Sequence, residues 1–330
     1  MAETDTNKIW DVIMIGAGPA ALSAAVYTTR EDLATLLLDK GPIGGLAAVT
    51  DWVDNYPGFP KGVAGLELSD LFQKQAERFG AKFEFGEVKQ IIDEGKTKLL
   101  KTDVGELRAK TILIATGSDY KKIGVPGEKE YYARGVHYCA TCDGAFYRDK
   151  KLVVIGGGNS AVQESLFLTR YASHIDMLVR SKVKASDVLV QELAKNSKIT
   201  VHLGVTTDEI VGDKPIPEGG KVIKVTGTDS ATGKKVDFPT DGVFVFVGLS
   251  PNTEFIKGSI DLDDIGFIKT NLHLQTNIPG VFAAGDVRSG ATMQIASATG
   301  EGATAALMIR QYLEGHMLTP EPAMAAVTSK

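Results

Sequence analysis

The feature that most constrains the fold is a glycine-rich segment that occurs twice, beginning once at Gly16 and again at Gly156. The first segment follows the apolar residues 10–15, and the second follows the apolar residues 151–155. After each segment the sequence predicts a helix and then another apolar strand. A strand, a glycine turn, a helix and a strand make a βαβ unit, so the pattern predicts two such units in one chain.

Both segments have the form expected of a dinucleotide-binding turn. Glycines there let the backbone approach a pyrophosphate, and the start of the following helix favours its negative charge. The first copy continues to Asp39, whose carboxylate can accept a hydrogen bond from a ribose hydroxyl and suits the adenosine of FAD. The second copy ends in a basic run with Arg180, Lys182 and Lys184, which favours the 2′-phosphate of NADPH; the alternative is a solvated loop.

The two cysteines of the chain, Cys139 and Cys142, form a C-x-x-C motif shortly before the second glycine segment. Such a pair near an α/β pattern is typical of a redox dithiol, and a helix start would stabilise the attacking thiolate. Asp143, the next residue, is placed to exchange a proton with a neighbouring sulfur. The alternative is a zinc site, but His137 and Asp143 are the only nearby candidates for the missing ligands, so we expect no metal. We interpret His137 as a packed, hydrogen-bonded histidine.

Length and charge limit the classes of function. A chain of 330 residues can form two domains, each with its own core. A net charge of −5 argues against nucleic acid as a main partner. The first ten residues lack the basic-then-apolar order of a signal peptide, and no apolar run reaches the roughly 18 residues of a membrane helix. We therefore expect a cytoplasmic protein that binds no membrane.

The turn-forming residues 123–127 and 250–252 predict two linkers, so that one domain interrupts another. Residues 221–228 and 234–238 predict a hairpin within the inserted domain. The Pro/Ala-rich residues 319–330 are expected to form a frayed end.

Taken in order along the chain, these motifs resemble those of bacterial-type, low-molecular-weight thioredoxin reductases, which are class II pyridine nucleotide-disulfide oxidoreductases. The segments that carry the resemblance are residues 16–20, 44–45, 55–59, 115–117, 139–144, 156–161 and 283–287. The resemblance covers nearly the full length of the chain. It implies an α/β fold of two Rossmann-like, three-layer dinucleotide-binding domains, the second inserted in the first. Residues 1–121 and 250–330 would form a discontinuous FAD-binding domain, and 122–249 an NAD(P)H-binding domain with the dithiol.

The resemblance also implies an activity and residue roles. A homodimer would pass electrons from NADPH through FAD and the dithiol to the disulfide of thioredoxin or a thioredoxin-like protein. Cys142 would face the flavin, Cys139 would attack the disulfide of thioredoxin, and Asp143 would donate and accept protons. The implied FAD-binding residues are Gly16, Gly18, Pro19, Ala20, Asp39, Lys40, Gly45, Leu46, Asn55, Ala115, Thr116, Gly117, Gly285, Asp286, Met293, Gln294 and Ile295. The implied NADPH-binding residues are Gly156, Gly158, Asn159, Ser160, Ala161, Arg180 and Lys184.

The chain departs from the family pattern at three places. The family usually has two adjacent arginines and a third several residues later, whereas this chain has Arg180, Ser181 and Lys184, which leaves NADH open as the donor. Leu46 replaces a common glutamine, and Met293 replaces a usual arginine, so that one charged flavin contact is absent. Three alternatives follow: an NADH-dependent reductase, a flavoprotein with another dithiol partner or with oxygen as acceptor, and a non-catalytic nucleotide- or zinc-binding redox sensor.

Overall fold

The computed structural model of this chain describes residues 8–50, 52–214, 218 and 220–316. The chain forms two compact units, one made of residues up to Asp119 and from Ser250 onward, the other of Tyr120–Leu249. The expected frayed end, residues 319–330, lies outside the described residues. Which cofactor each unit holds stays a prediction.

The strands and helices are numbered in chain order. The strands are β1 (Ile9–Ile15), β2 (Thr35–Asp39), β3 (Lys82–Phe85), β4 (Val88–Asp93), β5 (Lys98–Thr102), β6 (Gly105–Ile114), β7 (Ser118–Tyr120), β8 (Val136–His137), β9 (Lys151–Ile155), β10 (His174–Val179), β11 (Ile199–Leu203), β12 (Val205–Gly212), β13 (Val222–Asp229), β14 (Lys235–Pro239), β15 (Gly242–Val245), β16 (Leu249–Pro251) and β17 (Val281–Ala283). The helices are α1 (Pro19–Arg30), α2 (Gly45–Ala48), α3 (Gly65–Arg78), α4 (Ala140–Asp143), α5 (Asn159–Leu168), α6 (Asp187–Lys195) and α7 (Ile295–Leu313). Short 3₁₀ turns lie at Gly144–Tyr147 and Glu254–Ile256.

The first unit is built on one sheet in the order β3-β2-β1-β6-β5-β4, with β17 also paired to β6. Alternate residues of each strand face opposite sides of a sheet, and β1 is apolar on both. On one side Val12 and Met14 pack in a core with the alanine-rich helices α1 and α7. On the other side Ile13 and Ile15 pack in a second core with Ile256 and neighbouring apolar residues.

The second unit has a parallel sheet in the order β11-β10-β9-β15-β8. Leu152 and Val154 of β9 pack in a core with apolar residues of α5. Val153 and Ile155 face the other side, where the antiparallel sheet β12-β13-β14 supplies residues such as Val225. The predicted hairpin corresponds to β13 and β14, while β12 was not predicted.

The prediction of an α/β chain with two Rossmann-like, three-layer units, one inserted in the other, is confirmed by this arrangement. None of the helices in the described ranges combines the length and the apolar character needed to cross a membrane.

Candidate redox and nucleotide-binding sites

The C-x-x-C motif forms a disulfide at the start of a short helix. Cys139 and Cys142 are bonded to each other, with their Cα atoms 5.3 Å apart. Cys139 is the N-cap of α4, and its Sγ accepts the backbone N–H of Cys142 at 3.2 Å. Both cysteines are half-buried, whereas Thr141 between them is exposed. The predicted redox disulfide is therefore present within a single helical turn.

The carboxylate of Asp143 lies next to a buried histidine. The Nδ1 atom of His137 lies 3.1 Å from the Asp143 Oδ2 atom. The Nε2 atom of the same ring lies 2.7 Å from the hydroxyl of Tyr147, four residues after Asp143. His137 is only 7% exposed, and Tyr147 is also buried. The expectation of a packed, hydrogen-bonded His137 agrees with this geometry, but the sequence did not identify Asp143 and Tyr147 as its partners.

The protein environment keeps Tyr147 neutral. Burial, followed by the charges of Asp143 and Asp241, raises the pKa of the Tyr147 phenol far above its usual value. Burial and the Asp143 charge also raise the pKa of Tyr132. Both phenols therefore keep their protons near neutral pH.

The first glycine of each glycine-rich segment makes the same close contact in its own unit. Gly16 has a φ of +100°, and a Cβ placed on it would lie 2.4 Å from the carbonyl oxygen of Ala115. Gly156 has a φ of +146°, and its Cβ would lie 2.3 Å from the carbonyl oxygen of Phe246. Both positions require glycine because a side chain would collide with the backbone of the neighbouring strand end.

The third position of each segment leaves room for a ligand. Gly18 and Gly158 are the N-caps of α1 and α5, and neither has a side-chain cap. A Cβ placed on either residue would meet no atom within 4 Å. Each helix start therefore presents backbone N–H groups toward open space, which fits the pyrophosphate of a dinucleotide.

The predicted FAD-binding residues gather around the first segment. Asp39 Oδ2 accepts the backbone N–H of Ala17 at 2.6 Å, and Oδ1 accepts that of Gly41 at 2.8 Å. These bonds leave lone pairs of the carboxylate for a ribose hydroxyl. A Cβ on Gly45 would lie 3.6 Å from the Gly18 Cα, and one on Gly285 would lie 3.0 Å from the Ala20 Cβ.

Other predicted FAD-binding residues are held by specific contacts. Asn55 Nδ2 donates to Gln294 Oε1 at 3.0 Å, although 239 positions separate the two residues. Gln294 is also the N-cap of α7, so Ile295 is the first residue of that helix. Met293 has a φ of +55°, and the Ser118 hydroxyl lies 3.8 Å from its sulfur.

Three further predicted residues have distinct surroundings. Thr116 Oγ1 donates to the carbonyl of Asn252 at 2.8 Å, and Asn252 Nδ2 donates back to the Thr116 carbonyl at 3.0 Å. The Lys40 ammonium pairs with Glu87 at 3.2 Å. Leu46 is 37% exposed, so its apolar side chain is accessible to a ligand or partner.

Asp286 follows β17 and carries a strongly perturbed carboxyl group. Burial, and secondarily the charge of Glu301, raises the pKa of Asp286 to about 6. Glu301 accepts the backbone N–H of Gly285 at 2.8 Å and pairs with Arg288 at 2.6 Å. Glu301 was not identified from the sequence, because its contacts join α7 to a turn 16 positions earlier and leave no local pattern.

The basic run lies beside the second glycine segment. The backbone N–H of Lys184 donates to the carbonyl of Gly157 at 2.6 Å. Asn159 Oδ1 accepts the backbone N–H of Ser186 at 2.8 Å. The side chains of Arg180 and Lys184 are exposed, so both are accessible to a phosphate group. Ser160 and Ala161 lie in the first turn of that helix.

Comparisons with known proteins agree with these sites. The model of the pyridine nucleotide-disulphide oxidoreductase family matches residues 10–302. A thioredoxin reductase of Bacillus subtilis is 44% identical over 309 residues, which cover 93% of this chain and 96% of that protein. The thioredoxin reductase of Listeria monocytogenes is 42% identical over 310 residues, which cover 93% and 95%. The solved thioredoxin reductase of Streptococcus pyogenes has a TM-score of 0.88 at 38% identity, covering 94% of this chain and 99% of that chain.

Proposed function

Because this chain belongs to the pyridine nucleotide-disulphide oxidoreductase family, we propose that it reduces the disulfide of thioredoxin, or of a thioredoxin-like protein, with electrons from NADPH. The chain is an oxidoreductase, as its motifs predicted. The observation that carries the proposal is the Cys139–Cys142 disulfide at the start of α4, next to an aspartate whose carboxylate contacts a buried histidine.

The cysteines perform the exchange in two steps. The reduced Cys139 sulfur attacks the partner's disulfide, so that a mixed disulfide forms and one partner sulfur leaves as a thiolate that takes up a proton. The Cys142 sulfur then attacks Cys139, which re-forms the internal disulfide and releases the second partner sulfur. Asp143 accepts the proton of the Cys142 thiol and passes it to the leaving sulfur. Two electrons and two protons thus reach the partner.

The cofactor assignments rest on the open helix starts described above. FAD would be held by the first unit, with its pyrophosphate at Gly18 and its ribose at Asp39, and when bound it supplies two electrons to the dithiol. NADPH would be held by the second unit, with its pyrophosphate at Gly158 and its 2′-phosphate near Arg180 and Lys184. We extend the proposal to a homodimer that works in the cytoplasm, where a catalytic dithiol is kept reducible.

The test is a reductase assay on the purified protein. We expect yellow protein that oxidises NADPH only when thioredoxin disulfide is supplied. Cys139→Ser and Cys142→Ser should each abolish thioredoxin reduction while the flavin remains bound. Thr141→Ser, at the exposed position between them, is the matched control and should keep wild-type turnover. Colourless protein, or full turnover in both cysteine variants, would refute the proposal.

A second candidate function uses NADH as the electron donor. Ser181 favours it, because this exposed serine interrupts the basic run and leaves Arg180 without an adjacent arginine. Comparing kcat/KM for the two nucleotides decides between the candidates. A tenfold or greater preference for NADH, in an assay with saturating thioredoxin, would replace the NADPH assignment.

A further inference from the structure

We propose that His137 is a positioning residue for Asp143: its Nδ1–H holds the Asp143 carboxylate, and the Tyr147 hydroxyl fixes that tautomer by donating to Nε2. The inference rests on the proposed function, because it assigns a role in the proton step of disulfide exchange. It adds two residues, one on β8 and one in the turn after α4, to the redox site.

The hydrogen-bond partners determine which nitrogen carries the proton. An ionised carboxylate can only accept, so we assign the proton to the Nδ1 atom, which lies 3.1 Å from Asp143 Oδ2. A neutral imidazole then has its lone pair on Nε2, and a donor must face that atom. Tyr147 supplies it, because its hydroxyl lies 2.7 Å from Nε2 and its phenol stays protonated. The chain of donors therefore runs from Tyr147 through His137 to Asp143.

The imidazole is fixed in place by its packing. His137 lies opposite Phe244 in the β8–β15 pairing, and its ring stacks on that phenylalanine with centroids 5.2 Å apart. The Tyr147 ring packs edge-on against the imidazole at 5.3 Å. With the ring 7% exposed and packed on two sides, rotation would break the hydrogen bond to Tyr147 and move Nδ1 away from Asp143. A rigid donor of this kind sets the direction of the carboxylate that it holds.

The orientation of Asp143 matters in one step of the exchange. When the Cys142 sulfur attacks Cys139 in the mixed disulfide, the Cys142 S–H bond breaks and a new Cys139–Cys142 bond forms. The Cys139–partner bond breaks in the same step, and the partner sulfur leaves with the electron pair. The Cys142 proton passes to Asp143 and from there to the leaving sulfur. A carboxylate that is free to rotate would spend less time facing the thiol, so this step would slow.

Two substitutions at position 137 separate positioning from packing. In His137→Asn the side-chain NH₂ occupies nearly the place of Nδ1 and keeps a donor toward Asp143. In His137→Gln the NH₂ lies nearer the place of Nε2, so the donor toward Asp143 is lost. We expect His137→Gln to lower kcat with thioredoxin about tenfold and to leave KM unchanged. A positioned proton-transfer group contributes about 10²–10⁴-fold to the rate, and the loss of orientation should remove part of that contribution. His137→Asn should remain within about threefold of the wild type.

The rate at which NADPH bleaches the flavin absorption should be the same in the wild type and both variants, which checks that the cofactor sites are intact. Equal losses of kcat in the two variants, or no loss in His137→Gln, would overturn the inference. A wild-type protein that does not reduce thioredoxin would instead refute the proposed function.

Nitrogen-15 NMR of the wild-type holoenzyme gives a readout that is independent of turnover. We expect the signal assigned to His137, by its absence in His137→Asn, to show a neutral ring protonated at Nδ1. Tyr147→Phe should shift that signal toward a mixture of tautomers. An Nε2-protonated ring in the wild type would overturn the inference even if the enzyme were fully active.

Discussion

The carboxylate of the buried Glu128 accepts a hydrogen bond from the hydroxyl of Tyr138, with 2.8 Å between the two oxygens. It also accepts the backbone N–H groups of Ile123 at 3.0 Å and Gly124 at 2.7 Å. Tyr138 directly precedes Cys139, and residues 123–124 lie soon after the chain enters the second unit. The buried Glu128 carboxylate therefore connects residues 123–124 to Tyr138, the residue before the dithiol.

Glu128→Gln should destabilise the second unit. A glutamine amide offers one carbonyl oxygen where three donors now point, and its NH₂ group would face a backbone N–H. The expected loss is about 2 kcal/mol in the free energy of unfolding, the range for hydrogen bonds to charged groups. Urea denaturation followed by circular dichroism measures it. The exposed Glu130→Gln is the control, and equal unfolding midpoints for the two variants would contradict the prediction.

Two glycines of α7 should respond in opposite directions to alanine. A Cβ on Gly302 would lie 2.1 Å from the backbone oxygen of Ala20, so α1 and α7 would have to separate. A Cβ on Gly300 would meet no atom within 4 Å. We expect Gly302→Ala to cost about 1–3 kcal/mol of stability. Gly300→Ala should gain up to about 1 kcal/mol from helix propensity. Thermal unfolding of both variants tests this prediction. Changes of the same sign in the two unfolding temperatures would contradict it.

Asp286 should make stability depend on pH. Its folded pKa of about 6 lies above its ordinary value of 3.8, so the folded state binds more protons between these values. The contribution of Asp286 to stability is therefore highest below about pH 4, falls as pH rises toward 6, and stays lowered above that. Asp286→Asn removes this cost and should stabilise flavin-depleted protein by on the order of 2 kcal/mol at pH 7, and by much less at pH 4.

Unfolding midpoints at the two pH values test the Asp286 prediction. Asp119→Asn, at an exposed position of β7, is the matched control and should show no such pH-dependent gain. A gain that is the same at pH 4 and pH 7 would show that removal of the buried charge is not its cause.

The basic run should govern nucleotide preference. Arg180→Ala should lower kcat/KM for NADPH about tenfold with little effect on NADH, since only NADPH carries a 2′-phosphate for a guanidinium to bind. Ser181→Arg should raise the NADPH/NADH ratio by a similar factor. Lys195→Ala, an exposed change at the end of α6, is the control. Parallel losses with both nucleotides in Arg180→Ala would place the residue outside the phosphate site.

The sequence predicted what local pattern encodes and missed what depends on long-range packing. The two βαβ units were predictable because apolar strands, glycine turns and small-residue helices lie next to one another in the chain. Strand β12 was not predictable, because half of Val205–Gly212 is polar and only Val205 and Ile210 are buried. Its strand character comes from pairing with β13.

The residues of the candidate site likewise fall into those that the sequence predicted and those that it missed. Cys139, Cys142 and Asp143 are adjacent and could be read together, as could the glycines at the helix starts. The contact between Asn55 and Gln294 and the link between His137 and Asp143 depend on how separate elements pack. Tyr147 lies only four positions after Asp143, but this spacing alone does not indicate a shared partner. The connection becomes visible only in the fold, where β8 places the imidazole of His137 between the two side chains.

The two cysteines are three positions apart, so their bond closes a very small ring of backbone. A cross-link over so few residues restricts the unfolded chain little, and it bridges no separate strands or helices. Opening it therefore leaves the hydrophobic cores of both units as they were. The disulfide can therefore open and close in every catalytic cycle while the packing of both cores stays the same.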